Sequence, residues 1–554
     1  MSQAQTVVLE DNAEEVEIKI ADKSAMRARY LAYGFIALVL LLTAALRFHL
    51  RNIPLERDEG EYAYAGQLML QGIPPYQLAY NMKLPGTYAA YALIMAVFGQ
   101  TTAGIHLGVM LVVLATIILV AILAWRFAGP VGAVAAAAAY GLLSASPYVL
   151  GFCGHATHFV VLPTVAALLL LLKAIEQRRS SMFFWSGILL GVAVLMKQPA
   201  AVFVIFAAFY FLRIQRQPIN WKFLGKGLAF YFGGTALPFL LTCLLMWRAG
   251  VFSTFWFWTV DYASQYASNY GLISGAYFFS ANVSPIVSSS LWILIIAGLG
   301  VIAVCCDRKS PEGSKFILGF LVFSFLAVCP DLAFRPHYFI VMIPVVSLLA
   351  GIAVSTGTRL LGLTGKRALL YIPAVIFTLA LATCFYKQRS FFLETDPMVA
   401  SHKVYDQDPF PEAVLISDYL LAHVPANARI AVLGSEPEIY FYTHMHSATG
   451  YIYTYGLMED QKYALQMQYQ MIHEIEAARP EVLVFVNLYS SWDTGPNSSQ
   501  LIYQWARQYI AEHYNVCGVV DVPMNRWNYR WGAAAKTFTP KAYSAVLVFT
   551  RKES

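Results

Sequence analysis

Eleven apolar stretches before Lys387 constrain the fold of this chain more than any other feature. A helix needs about 20 apolar residues to cross a bilayer, and each stretch reaches or approaches that length. They span residues 30–48, 103–126, 130–149, 157–174, 181–196, 199–213, 224–247, 287–305, 315–330, 337–356 and 367–386. Of the 554 residues, 58% are hydrophobic and 13% are charged. The sequence therefore predicts a mainly α-helical, polytopic membrane protein of about eleven transmembrane helices.

The charges of the loops predict the orientation of these helices. Cytoplasmic loops of membrane proteins are enriched in Lys and Arg, and fourteen such residues fall on alternate connections, against three on the intervening short ones. Residues 1–28 are therefore predicted to be a disordered cytoplasmic tail, and the first loop, residues 49–102, is predicted to lie outside. A short apolar run within that loop, Thr87–Phe98, must begin and end on the outer side as a re-entrant or juxtamembrane helix.

The composition changes after Lys387, where apolar runs shrink to the length of strands. Runs typical of buried strands alternate there with helical stretches at 461–478 and 499–512. The runs are Arg429–Leu433, Val482–Asn487, Val516–Asp521 and Ala545–Thr550. An odd number of crossings places residues 387–554 outside, as an extracytoplasmic α/β domain that follows the transmembrane module of residues 29–386. Because the chain lacks a nucleotide-binding or nucleophile-elbow motif there, we expect this domain to contact an acceptor or to be purely structural.

The first external loop concentrates the charged residues that carry chemistry. Asp58 and Glu59 stand just beyond the first apolar stretch, and Lys83 lies near the end of the same loop. A carboxylate can take a proton from a hydroxyl or hold a metal, and a nearby cation can stabilise the charge of a phosphate. The alternative is structural: the two acidic residues cap a helix from Gly60 to Gln71, and Lys83 extends to the membrane interface.

This loop resembles the first external loop of the GT-C superfamily of polyprenyl-phosphate-sugar glycosyltransferases. The resemblance points to the bacterial branch related to protein O-mannosyltransferases and lipid A aminoarabinose transferases. It is carried by an Asp-Glu pair, a Tyr three residues later, and a Tyr and a Lys-x-Pro further along, which are Asp58, Glu59, Tyr62, Tyr80, Lys83 and Pro85. It implies seven spanning helices up to Trp247, two juxtamembrane helices after the first of them, and location in a bacterial inner or plasma membrane.

Other candidate residues lie on the outer side of later helices. His155 and His158 could form a divalent-metal site with Asp58 and Glu59, or they could simply form hydrogen bonds within their own loop. His158 takes the position of an acidic residue that many relatives carry. Lys197 stands in a Lys-Gln-Pro turn that is similar to one that lies near the donor phosphate in relatives, which implies a contact with phosphate.

Two further segments resemble parts of the same superfamily or offer aromatic surface. Arg335 opens an Arg-Pro-His-Tyr segment with His337 and Tyr338, and it could bind a donor phosphate in a bidentate manner or anchor the chain at the interface. The external loop 248–288 is dense in aromatic residues, with Asp261 and Tyr262 as its polar candidates. It could anchor at the interface or form a lid over a lipid-linked sugar.

The resemblance implies an inverting glycosyltransferase with an outward-facing site. Asp58 would deprotonate the acceptor hydroxyl, and Glu59 would orient the loop or assist with a metal. The donor phosphate would be bound by Lys83, Lys197 and Arg335, and the acceptor and sugar would be positioned by Tyr62, Tyr80, Asp261, His337 and Tyr338. No cofactor would be required, although a divalent metal could bind His155 and His158.

The expected partners are a polyprenyl-phosphate-linked sugar, membrane lipid, and an envelope glycan, lipid or protein as acceptor, with lipopolysaccharide among the candidates. The net charge of +6 is dispersed, which argues against a nucleic-acid partner. Two rival functions are a transporter or flippase of lipid-linked saccharides and a non-catalytic envelope assembly protein. The sequence shows neither paired half-sequences with matching broken helices nor a chain of ionisable residues through the bilayer, which disfavours a transporter.

Overall fold

The computed structural model describes residues 3–553 except 216–217, 267–269, 309, 522–526 and 541–543, with side chains described from Met26 onwards. Fourteen α-helices precede the C-terminal domain. They are α1 (Gln3–Leu50), α2 (Arg57–Leu70), α3 (Gly86–Phe98), α4 (Thr102–Leu143), α5 (Ala156–Gln177), α6 (Ser180–Met196), α7 (Ala201–Arg213), α8 (Trp221–Arg248), α9 (Phe252–Trp256), α10 (Ala263–Tyr266), α11 (Leu272–Cys306), α12 (Pro311–Leu326), α13 (Ile343–Gly362) and α14 (Ile372–Phe392). Short 3-10 helices occupy Pro147–Val149, Gln198–Ala200, Pro336–Met342 and Arg367–Tyr371, and Phe257–Tyr262 forms a π-helical turn.

Within the described part of the chain, seven helices are long and apolar enough to span a membrane. They are Met26–Leu50, Thr102–Leu143, Ala156–Gln177, Trp221–Arg248, Leu272–Cys306, Pro336–Gly362 and Arg367–Phe392. Each of the eleven predicted stretches falls largely within a helix, which confirms the mainly α-helical membrane fold. Helices α6, α7 and α12 have only 17, 13 and 16 residues, so the number of eleven crossings stays a prediction.

Helix α4 contains a sharp kink that divides it into two arms. Gly129 has a φ of 66°, and Pro130 follows it. Proline lacks a backbone N–H and disfavours helical geometry at the preceding residue, whereas glycine tolerates a positive φ. The two arms correspond to the stretches 103–126 and 130–149, which the sequence predicted as separate helices.

Helix α1 is longer than the first apolar stretch. The structure continues it backwards through residues 3–25, where the sequence predicted a disordered tail. Ala, Glu and Lys are frequent in that segment, and these residues have high helix propensity.

The first external loop forms two short helices that pack on each other. Helix α2 begins at Arg57, and its N-cap is Glu56, whose carboxylate accepts the backbone N–H of Glu59 at 3.0 Å. The alternative in which Asp58 and Glu59 cap a helix that begins at Gly60 is therefore wrong, because both residues already lie in the first turn of α2. Helix α3 has only 13 residues, which is too short to cross a bilayer and agrees with the predicted re-entrant or juxtamembrane helix.

The C-terminal domain is built on a mixed six-stranded sheet. The strands are β1 (Arg429–Leu433), β2 (His446–Ser447), β3 (Val482–Asn487), β4 (Tyr514–Asp521), β5 (Asn528–Trp531) and β6 (Ala545–Arg551), in the order β2-β1-β3-β6-β4-β5. Strand β1 is parallel to β2 and β3, and the remaining pairs are antiparallel. All four predicted strands are present. The sequence missed β2 and β5, which have only two and four residues.

Eight short or medium helices surround the sheet and complete the domain. They are α15 (Pro397–Tyr405), α16 (Phe410–His423), α17 (Glu438–Thr443), α18 (Tyr455–Met458), α19 (Ala464–Ala478), α20 (Tyr489–Trp492), α21 (Leu501–His513) and α22 (Ala533–Lys536). The two predicted helical stretches correspond to α19 and α21. Since both predictions lie within three residues of the observed bounds, the α/β character of this domain is confirmed.

The C-terminal domain packs directly on the first external loop. Tyr64 of α2 and Tyr440 of α17 have ring centroids 5.1 Å apart. At Gly60 the backbones approach so closely that a Cβ atom would lie 2.5 Å from the backbone nitrogen of Glu438. The outer domain and the loop that carries Asp58 therefore share one hydrophobic core.

Candidate active site

A cavity of about 620 Å³ lies between the first external loop, the outer ends of the membrane helices and the C-terminal domain. Nine of the twelve residues to which the sequence assigned a role in the site line it: Asp58, Tyr62, Tyr80, Lys83, His155, Lys197, Arg335, His337 and Tyr338. Apolar residues of the membrane helices and of their ends also line it, with Val160, Ala200, Ala201, Phe203, Ala327 and Val341 among them. The cavity thus combines charged and aromatic side chains with apolar surface.

Asp58 lies on the polar wall, at the start of α2. Its Oδ1 accepts a hydrogen bond from the ammonium of Lys83 at 2.8 Å. Its Oδ2 lies 3.7 Å from Nδ1 of His155 and 3.8 Å from Nε2 of His337. Burial raises the pKa of Asp58, but Lys83 and the two imidazoles outweigh that effect and hold the pKa well below its ordinary value. Asp58 is therefore a carboxylate at neutral pH.

The ammonium of Lys83 is shared between two carboxylates. Besides Asp58, it donates to Oε2 of Glu61 at 2.6 Å, and it lies 4.7 Å from the centre of the Tyr62 ring. Burial lowers the pKa of Lys83, but the two carboxylates outweigh it and raise that pKa above its ordinary value. Lys83 is therefore held in place as a cation, with most of its charge compensated.

Two buried histidines and a glutamate stand beside Asp58. The rings of His155 and His337 are stacked, with centroids 4.1 Å apart and 9° between their planes. Nδ1 of His155 lies 3.6 Å from Oε1 of Glu56. Burial raises the pKa of Glu56 to about 7, although His155 opposes the shift.

Two further cations, Lys197 and Arg335, line the same cavity. The Lys197 ammonium lies 3.7 Å from the centre of the Tyr338 ring, and the hydroxyl of Tyr338 donates to Asp331 at 2.6 Å. Burial lowers the pKa of Lys197 to about 7, with Asp331 opposing the shift and Arg335 contributing to it. Arg335 precedes the 3-10 helix that begins at Pro336, and the adjacent Tyr266 keeps its pKa raised above the ordinary value.

Tyr62 and Tyr80 contribute aromatic surface to the acidic side of the cavity. Tyr62 packs edge-on against Tyr91 at 5.4 Å, and Tyr80 is stacked on Trp258 at 5.6 Å. The backbone N–H of Tyr80 donates to Gly450 at 2.6 Å, so the C-terminal domain fixes its position.

Three of the predicted site residues lie outside the cavity wall. Glu59 points to the other side of α2, where its Oε1 accepts from the backbone N–H of Gly154 at 2.5 Å and pairs with Nε2 of His106 at 3.0 Å. Neighbouring residues of a helix are rotated by about 100° from each other, so Asp58 and Glu59 cannot face the same side. Glu59 instead links α2 to α4 and to the loop before α5.

The other two predicted site residues that lie outside the cavity wall are His158 and Asp261. His158 is buried in α5, with Nε2 2.8 Å from the carbonyl oxygen of Gly151, and it does not approach Asp58. The prediction that it joins His155 in one site is corrected here: His337, brought in by a later helix, occupies that place. Asp261 is exposed to solvent, whereas its neighbour Tyr262 lines the cavity and donates to Glu459 at 2.8 Å.

The sequence missed residues that the C-terminal domain adds to the cavity. Tyr453, Tyr455 and Asp408 line its upper side. Two of them are held by Arg57, which donates to the hydroxyl of Tyr455 at 2.9 Å and lies 3.3 Å from Asp408. No local sequence pattern marks these residues, since hundreds of positions separate them from Arg57. The position of Arg57 beside Asp58 in the sequence could have indicated that Arg57 itself belongs to the site.

Asp58, His155 and His337 bring one potential metal ligand each to within 4.8 Å of one another. Carboxylate and imidazole are ligands that suit zinc, so a divalent cation is compatible with the residue types. The lone pair of an imidazole nitrogen lies in the plane of its ring, and two stacked rings do not point at one ion. Both histidines could bind the same cation only after one ring had turned.

The comparisons with known proteins agree with this architecture. A family model described as dolichyl-phosphate-mannose-protein mannosyltransferase matches residues 83–247. Among curated protein sequences, none matches the chain. ArnT from Cupriavidus metallidurans, solved with undecaprenyl phosphate bound, is similar over 93% of this chain and 98% of its own, with 15% identity and a TM-score of 0.56.

A second similar structure is an oligosaccharyltransferase from Archaeoglobus fulgidus. Its complex with Zn and sulfate aligns over 89% of this chain and 73% of its own, with 13% identity and a TM-score of 0.52. The same enzyme, tethered to an acceptor peptide with an NVT sequon, aligns with a TM-score of 0.52 and 13% identity over 90% of this chain and 74% of its own.

The fold and the cavity define a polytopic membrane protein with a site between its membrane helices and its C-terminal domain. The chain has the fold of ArnT and of the oligosaccharyltransferase. This is the fold that the resemblance of the first external loop implied.

Proposed function

We propose that the protein is a membrane glycosyltransferase that transfers a sugar from a polyprenyl-phosphate donor to a hydroxyl group of an envelope glycolipid, glycan or protein on the outer face of the membrane. The observation that carries this proposal is one cavity that is lined by an ionised Asp58, by Lys197 and Arg335, and by apolar residues of the membrane helices. A general base, a site for phosphate and a path for a lipid chain are the three parts that such a reaction needs.

Lys197 and Arg335 are the best candidates for holding the donor phosphate. Lys83 already serves two carboxylates, and only its third N–H is left for a phosphate oxygen. Lys197 and Arg335 offer an ammonium and a guanidinium to the same cavity, which apolar residues of the membrane helices also line. A phosphate held there next to lipid would be stabilised strongly, since charge interactions strengthen where the dielectric is low.

Asp58 would accept the proton of the acceptor hydroxyl. As that oxygen attacks the anomeric carbon, the bond from this carbon to the phosphate oxygen breaks, and the polyprenyl phosphate leaves with the electron pair. Attack on the face of the sugar opposite the leaving phosphate inverts the anomeric centre. The same donor class is supported by the undecaprenyl phosphate in the ArnT structure.

The remaining residues are assigned supporting roles. Tyr62, Tyr80, His337 and Tyr338 shape the space for the acceptor and the sugar, and Glu59 orients α2 from behind through Gly154 and His106. In the loop 248–288, Tyr262 lines the cavity and helps to shape this space, whereas Asp261 is exposed and does not.

The reaction as proposed requires no metal. If a divalent cation binds, Asp58 and His155 or His337 would hold it, and it would supply a further positive charge beside the acceptor oxygen. The structure of the archaeal oligosaccharyltransferase with Zn supports a test of this point with a chelator. His158 contacts the carbonyl oxygen of Gly151 and is not one of the clustered ligand residues.

The test is transfer by the purified protein in defined lipid, with a synthetic polyprenyl-phosphate sugar and a set of acceptors, followed by mass spectrometry. Asp58→Asn keeps the shape of the side chain but removes the base, so transfer should fall about 10²- to 10⁴-fold. Asp418→Asn is a matched control, because Asp418 is exposed on α16. Near-normal transfer by Asp58→Asn would remove Asp58 from catalysis.

The same preparation separates the rival functions. A flippase would move a labelled lipid-linked saccharide across a vesicle membrane without breaking its phosphate bond, and an assembly protein would tolerate Asp58→Asn in cells. Mass spectrometry of the envelope glycolipids and glycoproteins of a deletion strain would identify the acceptor and the sugar.

A further inference from the structure

Glu61 is a buried carboxylate in the site that the proposed reaction does not use directly. It follows Asp58 by three positions on α2, so the two side chains lie on the same face of the helix. Its side chain is 1% exposed. Oε2 accepts from the ammonium of Lys83 at 2.6 Å, and Oε1 accepts from the hydroxyl of Tyr88 at 2.6 Å. Because an ammonium can only donate, Glu61 acts as the acceptor of Lys83.

Because Lys83 is bonded to Glu61, its contact with Asp58 is also restricted. Its ammonium donates to Oδ1 of Asp58 at 2.8 Å, so it occupies only one of the two carboxylate oxygens. The other oxygen, Oδ2, faces the imidazoles of His155 and His337 at 3.7 and 3.8 Å. Asp58 therefore presents a defined oxygen to the cavity.

We propose that Glu61 is a positioning residue that anchors Lys83 on Oδ1 of Asp58 and thereby leaves Oδ2 free to take the proton of the acceptor. This inference rests on the proposed function. A lysine has a flexible four-carbon stem and a compact charge. Without Glu61, its ammonium would follow the donor phosphate or move between the two oxygens of Asp58.

The anchor also explains why two carboxylates share one lysine. Asp58 alone would form a simple ion pair with Lys83, and an incoming phosphate would compete for the same ammonium. Glu61 supplies a second contact to Lys83. The phosphate does not displace this contact, since the carboxylate of Glu61 is closed off from solvent. The donor can then bind while the base keeps its orientation.

A double-mutant cycle tests the inference, with kcat and the donor KM measured for transfer. Glu61→Gln keeps the volume of the side chain but removes its charge. We expect kcat to fall about ten- to a hundredfold, as for the loss of a hydrogen bond to a charged group, with a much smaller change in the donor KM. In a Lys83→Gln background, the same substitution should change kcat by less than about twofold, because residues that act through one another are not additive.

Two further variants separate positioning from a merely structural role. Glu61→Asp keeps the charge and should recover part of the kcat that Gln loses, whereas a role in packing alone predicts that Gln, with the better match in volume, is the milder change. Tyr88→Phe removes the other partner of the same carboxylate without touching Lys83, and it should leave kcat within about threefold of the parent value.

The outcomes distinguish the inference from the function on which it rests. Absence of transfer by the parent protein overturns both. If the parent transfers sugar but Glu61→Gln has the same kcat, or loses as much activity in the Lys83→Gln background as alone, only the positioning role is overturned. If Glu61→Gln does not fold, Glu61→Asp decides: recovery of measurable kcat in a folded protein supports the role, and a kcat as low as that of Asp58→Asn contradicts it.

Discussion

The ammonium of Lys197 lies 3.7 Å from the centre of the Tyr338 ring, in the cavity that Asp58 also lines. Lys197 follows the last residue of α6, and Tyr338 lies in the 3-10 helix that leads into α13. The hydroxyl of Tyr338 is in turn hydrogen-bonded to Asp331. This contact joins two separate membrane helices at the place where we propose that the donor phosphate binds.

The first prediction is a pH dependence of donor binding that originates at Lys197. Burial lowers the pKa of this lysine to about 7, so it is charged below that pH and neutral above it. Phosphate binds the charged form and raises the pKa in the complex. The donor KM should therefore be flat below about pH 7 and rise by up to about tenfold per pH unit above it.

Lys197→Arg is the control for this prediction, because a guanidinium stays charged throughout this range. The donor KM of this variant should not depend on pH near pH 7, even if it differs from the donor KM of the parent protein. Donor titrations of both proteins at pH 6, 7, 8 and 9 would make the comparison. A parent KM that is the same at pH 6 and pH 9 would show that Lys197 does not bind the phosphate.

The sequence predicted the membrane part of the fold well because hydropathy is a local property. All eleven stretches lie largely in helices, and α3, like α6 and α7, is shorter than the seven helices that could span a membrane in the described part of the chain. The strands β1, β3, β4 and β6 were recognisable by their apolar runs, but β2 and β5 were too short to show a pattern. A helix or strand was therefore recognisable from the sequence only if it was both long and hydrophobic.

The candidate site was predicted only in part, and one reason is the position of α2. The structural alternative placed the start of a helix at Gly60, whereas α2 begins at Arg57. With the observed start, the helical period separates Glu59 from Asp58 and places Glu61 on the side of Asp58. The sequence prediction paired Asp58 with Glu59 without this helical period, and it did not name Glu61.

Other features of the site could not be read from local sequence. The sequence singled out His337, but its approach to Asp58 and the presence of Tyr453 in the cavity depend on the packing of a late membrane helix and of the C-terminal domain. Nothing in the spacing of residues near Asp58 indicates these contacts. The choice between His155 and His158 also depended on the fold, because His155, the N-cap of α5, lies beside Asp58, whereas His158, within α5, contacts Gly151.

The second prediction concerns Glu59, which we expect to support the fold and not to take part in the chemistry. Glu59→Gln weakens a buried interaction with Gly154 and His106, so it should reduce the free energy of unfolding by about 1–3 kcal/mol. The kcat of the folded fraction should fall much less than with Asp58→Asn. Thermal unfolding and transfer assays on the same preparations would check both points. Loss of activity as severe as that of Asp58→Asn, without loss of stability, would return Glu59 to the catalytic residues.

The third prediction concerns topology: the C-terminal domain should lie on the same side of the membrane as Asp58. Asn497 is exposed on this domain, so Asn497→Cys should react with an impermeant maleimide in cells from which any outer barrier has been removed. The parent protein is the control, because its Cys517 is buried and its exposed Cys305 and Cys306 lie at a predicted cytoplasmic end. Labelling of the new cysteine only after lysis would contradict the predicted orientation.

The last prediction tests whether close packing of the outer domain on α2 holds the site together. A Cβ atom at Gly60 would lie 2.5 Å from the backbone nitrogen of Glu438, so Gly60→Ala must push α2 and α17 apart. Overpacking of this kind costs about 1–3 kcal/mol, which exceeds the gain of about 1 kcal/mol that alanine brings to a helix. We expect lower thermal stability and faster proteolysis of the C-terminal domain.

Activity should fall as well, because Tyr453 and Tyr455 belong to the domain that would be displaced and line the cavity above Asp58. Gly233→Ala in α8 is the matched control, since a Cβ at Gly233 meets nothing within 4 Å and alanine is the better helix former. That variant should be as stable as the parent or slightly more so. If Gly60→Ala were as stable and as active as the parent protein, the C-terminal domain would not depend on this contact. The site would then tolerate movement between α2 and the C-terminal domain.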